Sequence, residues 1–139
     1  LGAVLCGTKS FIANARKWRK MVGGGWRQAG IVASAGLYAL DNNVDRLNND
    51  HNNALLLAEL LDDIAGFSVD RVADRTNMVF LEFPDSLPQD IESRFQKHGI
   101  LITASENPIR LVTHLDIDED NIRYTASVFQ EIFSSNGPN

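Results

Sequence analysis

"NMVFLEFP", residues 77–84, is where the period of the chain changes. Upstream of it, apolar residues recur at helical spacing. Here Met78, Phe80 and Glu82 alternate with Val79, Leu81 and Phe83, the two-residue repeat of a strand with two unlike faces. Pro84, which has no N–H to give to a ladder, closes it. A strand placed after three helical segments predicts an α+β layer: N-terminal helices followed by a small antiparallel sheet with helices packed on one face.

Downstream, the runs ILITA (100–104) and IRLVTH (109–114), separated by SENP, read as an antiparallel pair. In the second run Ile109, Leu111 and Thr113 share one face, leaving Arg110, Val112 and His114 on the other. The spacing predicts a helix over 87–98 closed by Gly99. It predicts a last helix over 119–133, with Asp118 as N-cap and Glu119 and Asp120 where the macrodipole favours acids. Residues 69–72 are expected to add a short edge strand, and the tail SSNGPN to be loose.

Upstream, a helix is expected over 44–64, with Val44, Leu47, Ala54, Ala58 and Leu61 on one stripe. The Asn/Asp-rich residues 48–53 fall largely outside that stripe, and Gly66 ends the helix. The segment WRQAGIVASAGLYAL, 26–40, reads as a helix so dense in Gly and Ala that it is expected to be buried against another backbone. A first helix over 11–21 ends at Gly23, Gly24 and Gly25.

The chain of 139 residues is about one domain long. No apolar run approaches the roughly 20 residues that span a bilayer, and LGAVLCGTKSF lacks the basic n-region and long h-region of a signal peptide, so neither membrane nor export is supported. Cys6 is the single cysteine, so no disulfide can close within the chain and no cysteine cluster can hold zinc; a cytoplasmic setting is expected. The net charge of −5 conceals a division: residues 1–40 carry +6 and no acid, and the remainder −11. Such asymmetry points the first forty residues at an anion or an acidic surface. The chain opens on Leu1 with an apolar stretch already under way, which reads as the middle of a longer protein.

Three features could carry chemistry. The glycine triplet feeds a helical segment and is flanked by Lys20 and Arg27. Backbone N–H groups, a helix dipole and two cations suit a phosphate; equally, the glycines turn the chain between helices and the bases are a solvated face. Arg110, on a strand, is suited to hold a carboxylate by two parallel hydrogen bonds, or to cover apolar surface with its stem. Trp18 and Trp26 among the bases raise single-stranded nucleic acid, against which stand the acidic total and the shortness of the patch. His51, His98 and His114 fall in no Ser/His/Asp spacing, and no cluster has metal-ligand spacing, so no metal site is expected.

Taken in order, "RKWRKMVGGGWRQAGIVASAGLYAL", "NNVDRLNNDHNNA", "DRTNMVF" and "ILITASENPIRLVTHLDI" resemble the C-terminal part of the low-specificity L-threonine aldolases. The likeness covers nearly the whole chain. It implies a pyridoxal 5'-phosphate-dependent subunit of the aspartate-aminotransferase-like fold, a homotetramer, cleaving L-threonine or L-allo-threonine to glycine and acetaldehyde. Residues 1–43 would then complete the large cofactor-binding domain and the subunit interface, and 44–139 would form the small α+β domain. The resemblance places Lys20 and Arg27 at cofactor and phosphate, and gives Arg110 the substrate carboxylate. The family's Schiff-base lysine lies shortly before the position matching Leu1. Lys9, Lys17, Lys20 and Lys97 do not match it, so no catalytic residue is expected in this chain, which needs the N-terminal remainder of its subunit and is inactive alone. Rival readings are another pyridoxal-phosphate lyase or aminotransferase of the same fold, and a non-enzymatic module binding phosphate or nucleic acid.

Overall fold

The computed structural model describes residues 4–70 and 76–134. The chain divides between Arg46 and Leu47 into two compact units.

The first unit contains α1 (Lys9–Met21) and α2 (Gly30–Asn42). α1 starts where Thr8, in extended conformation, accepts a hydrogen bond from the Phe11 N–H at 3.3 Å. Its C-terminus is a Schellman cap. The Gly24 N–H donates to the Arg19 carbonyl at 2.7 Å, the Gly23 N–H donates to Lys20 at 3.3 Å, and Gly23 takes φ +88°. α2 starts at Gly30, not Trp26: no Ser, Thr, Asp or Asn at 25–29 caps an earlier start, and Ala29 at the N-cap makes no side-chain bond. The expectation that this small-residue helix is buried is also overturned, because no described residue of 4–46 is buried in this chain. Its apolar side chains are uncovered, Ile31 at 83% and Tyr38 at 65% exposure.

The second unit runs α3 (Leu47–Asp62), β1 (Ser68–Asp70), β2 (Met78–Glu82), α4 (Ile91–Gln96), β3 (Ile109–Val112) and α5 (Glu119–Ser134). The three strands form an antiparallel sheet in the order β1-β2-β3. The alternation read from the sequence is the one observed: Val79, Leu81, Phe83, Ile109, Leu111 and Thr113 are buried. The apolar ones among them form one core with Leu57 and Leu61 of α3 and Ile122, Phe129 and Ile132 of α5. An aromatic cluster fills its centre, with Phe95 and Phe129 ring centroids 4.3 Å apart and Phe67 edge-on to Phe129 at 5.8 Å. α5 begins in a reciprocal cap, where the Asn121 N–H donates to Asp118 Oδ1 at 2.8 Å and the Asp118 N–H to Asn121 Oδ1 at 3.2 Å. The fold is therefore α+β, with helices and a small antiparallel three-stranded sheet.

Residues 100–104 are not a strand. Ile100, Ile102 and Ala104 pack against the core, which accounts for their alternation. The segment is held by the Ala104 N–H donating to Glu92 Oε1 at 2.6 Å, and β3 pairs with β2 instead. α4 is shorter than 87–98: a turn in which the Ile91 N–H donates to the Pro88 carbonyl precedes it, and His98 and Gly99 close it with tight three-residue turns. Asp50 is buried, and Asn53 donates to the Ile117 carbonyl at 2.9 Å, so part of the Asn/Asp-rich stretch faces inward. Of the expected edge strand, 71–72 lie outside the described residues, as do 135–139 of the tail. No helix among the described residues is long and apolar enough to cross a membrane.

Candidate functional site

In the second unit the candidate site residue is Arg110. The alternation of β3 turns Ile109 and Leu111 into the core and leaves Arg110 on the opposite, exposed face. Phe80 stands across from it on β2, and Asp70 stands beyond Phe80 on β1, so one row crosses the sheet as Asp70, Phe80, Arg110. The Arg110 guanidinium has no hydrogen-bond or ion-pair partner among the described residues. A cation on a rigid strand with its five donors unspent fits a carboxylate held in the plane of the fork. Edge coverage of apolar surface, the other reading of Arg110, also has neighbours to act on: Met78 and Val112 are part-exposed on the same face.

His114 shares that face at the end of the strand run. Its Nδ1 accepts from the Asp116 N–H at 3.3 Å and lies 3.8 Å from Asp116 Oδ2, both side chains largely exposed.

In the first unit the glycine triplet acts as the cap of α1. Two of its N–H groups are spent on the helix behind them, which removes them from any anion. Arg27 lies in the connection ahead of α2, not in its first turn. It lines an open recess of about 400 Å³ with Trp26, Gln28, Ile31 and Val32. Lys20 is in the last turn of α1, where Arg19 and Lys20 complement the negative end of the dipole. Lys20 does not line the recess, and neither Lys20 nor Arg27 has a side-chain partner among the described residues. Trp18 and Trp26 are both well exposed. Arg110 belongs to the other unit.

The residues that hold β3 in place escaped the reading of the sequence. Asn107 hydrogen-bonds both backbone groups of Phe83, Asn77 bonds the Thr113 carbonyl at 2.8 Å, and the buried Thr113 hydroxyl donates to the Asp50 carbonyl at 2.7 Å. One signal for Asn107 was present: it precedes Pro108, a residue that cannot donate, at the mouth of a strand.

Comparison with known proteins places this geometry in context. Residues 1–84 match the family model described as beta-eliminating lyase. The low specificity L-threonine aldolase of Escherichia coli (strain K12) is 42% identical over 127 residues, covering 91% of this chain and 37% of that protein. Low-specificity L-threonine aldolase 1 of Arabidopsis thaliana is 38% identical over 135 residues, covering 94% of this chain and 38% of that protein. A probable low-specificity L-threonine aldolase of Schizosaccharomyces pombe is 32% identical over 130 residues. The chain thus spans less than two-fifths of the length of these relatives.

Proposed function

The chain belongs to the beta-eliminating lyase family, and from that premise we propose that it is the C-terminal part of a pyridoxal-phosphate-dependent aldolase that cleaves L-threonine or L-allo-threonine to glycine and acetaldehyde. The names of its relatives support this reading. The observation that carries it is Arg110, an unpartnered cation among the described residues, fixed on a strand whose alternate side chains are buried.

The residues present fit such a cofactor and substrate chemically. Lys20 and Arg27 are exposed cations of the kind a phosphate monoester recruits, and Arg110 is of the kind a carboxylate recruits. Bound pyridoxal phosphate supplies an electron sink for the breaking Cα–Cβ bond. Arg110 fixes the amino acid by its carboxylate, and so fixes which bond at Cα can break. Lys20 and Arg27 neutralise the phosphate. The lysine that links the cofactor is contributed by the N-terminal remainder of the subunit, and the working form is a cytoplasmic homotetramer.

Product analysis tests the proposal. The full-length polypeptide containing this chain, supplied with pyridoxal phosphate and L-threonine, should release glycine and acetaldehyde in equal amounts. Release of a keto acid and ammonia would assign another lyase chemistry of the same family. Absence of turnover, with salt-sensitive nucleic-acid binding through residues 16–27, would replace the enzyme by a binding module.

A further inference from the structure

Arg110 sits midway between two cross-strand contacts made by asparagine side chains. The β2–β3 pairs run from Met78↔Val112 to Leu81↔Ile109, with Phe80↔Arg110 among them. Continued in the same register, the pairing sets Phe83 opposite Asn107 and Asn77 opposite Thr113, each three residues from Arg110. Between Arg110 and Asn107 lies Pro108, at a position whose backbone faces away from β2 in this register, where a residue without an N–H costs the ladder nothing. The next rung towards β2 falls to Asn107, and its side chain supplies it. The Phe83 N–H donates to Asn107 Oδ1 at 3.0 Å, and Asn107 Nδ2 donates to the Phe83 carbonyl at 2.8 Å. A carboxamide offers the same donor and acceptor as a peptide group, so it stands in for a full rung. At the other end the Thr113 N–H donates to the Asn77 carbonyl at 3.0 Å, and Asn77 Nδ2 donates to the Thr113 carbonyl at 2.8 Å.

The two ends differ in how much else holds them. Thr113 is also tied into the core through its hydroxyl on Asp50. At the Asn107 end, the two bonds to Phe83 are the cross-strand hydrogen bonds beyond the Leu81↔Ile109 pair among the described residues. Ile109 is anchored by burial, which holds the strand down but leaves its tilt and sliding to the hydrogen bonds. Sliding matters because a one-residue slip would turn Arg110 towards the covered face, and a smaller displacement would still misaim its fork.

We propose that Asn107 is a positioning residue for Arg110: by closing the ladder on Phe83 it sets the strand end from which the guanidinium projects, and so the grip on the amino-acid carboxylate. This rests on the reading of Arg110 given above. The contact acts through the strand, since Asn107 itself is spent on Phe83.

The test is a double-mutant cycle in the full-length holoenzyme: wild type, Asn107→Ala, Arg110→Ala and the double variant. KM and kcat for L-threonine, the absorbance of the bound cofactor and the thermal midpoint are measured for each. Asn107→Ala should raise KM on the order of tenfold while leaving cofactor absorbance unchanged. In the Arg110→Ala background it should add nothing further to KM. Asn107→Ser retains a hydroxyl able to make one of the two bonds to Phe83 without adding charge, so it should fall between wild type and Asn107→Ala. It also decides the matter if the alanine variant fails to fold. Unchanged KM in the Asn107 variants, or an effect that persists in full without Arg110, overturns the positioning role. An Arg110→Ala variant with unaltered KM overturns instead the carboxylate reading on which the proposal rests.

Discussion

The Thr113 hydroxyl donates to the Asp50 carbonyl at 2.7 Å, and both residues are almost wholly buried, at 2% and 3% exposure. This bond ties the end of β3 to α3 inside the core. It also explains a polar residue at a core position of the strand, since a buried hydroxyl is tolerated where it is bonded.

Thr113→Val keeps the shape and removes the donor. The variant should lose about 1 kcal/mol of stability, the net worth of one such bond. Urea unfolding should show a lower midpoint with an unchanged slope. Thr113→Ser, which retains the hydroxyl, should keep the Asp50 bond, so a serine variant that loses the bond's worth as fully as valine would contradict this role.

Phe129 is fully buried and touches the rings of both Phe95 and Phe67. Phe129→Ala should cost roughly 3–5 kcal/mol through lost transfer energy and the cavity left behind. Calorimetry of the two proteins measures it directly; a shift of the melting temperature within error would mean that the cluster is not the centre of the core.

Gly23 and Gly66 both have positive φ, +88° and +107°, and so resist a side chain. A Cβ on Gly23 would meet open space, whereas one on Gly66 would lie 3.4 Å from Phe133 Cδ1. Gly23→Ala should therefore fray the end of α1, cost about 1–2 kcal/mol locally and leave the melting of the second unit unmoved. Hydrogen exchange at Gly24, whose N–H caps Arg19, should accelerate while amides of β2 and β3 keep their protection.

Lys20→Ala and Arg27→Ala in the full-length protein should each weaken pyridoxal phosphate binding by about tenfold or more, as expected for a lost charge-assisted hydrogen bond. Arg16→Ala, on the same helix as Lys20, should leave it unchanged. Titration of the apo-protein with cofactor distinguishes these outcomes, and equal losses in all three would reduce the effect to general charge.

What the sequence made legible is what a period reports. The alternation in 78–83 and 109–113 located β2 and β3 and separated their two faces, setting Arg110 opposite Ile109 and Leu111. The same alternation misled at 100–104, because residues can pack alternately on a core without a neighbouring strand to bond. The small residues of α2 announced a close-packed helix, but its covering is a tertiary matter, and nothing among the described residues of the chain buries it. The glycine triplet was legible as the end of the first helix, whereas the choice between a turn and a phosphate cradle was not, because it depends on the hydrogen bonds that Gly23 and Gly24 return to α1. Asn107 could not be found by period at all, since its partner Phe83 is 24 residues away.

The most direct test of the account compares Arg110→Ala with wild type in the full-length holoenzyme, measuring KM for L-threonine and the dissociation constant of pyridoxal phosphate side by side. A bidentate charge-assisted pair is worth about two tenfold steps, so KM should rise on the order of a hundredfold while cofactor affinity stays at the wild-type value. Loss of cofactor affinity with KM unchanged would contradict the account, since Arg110 would then serve the cofactor and not the substrate.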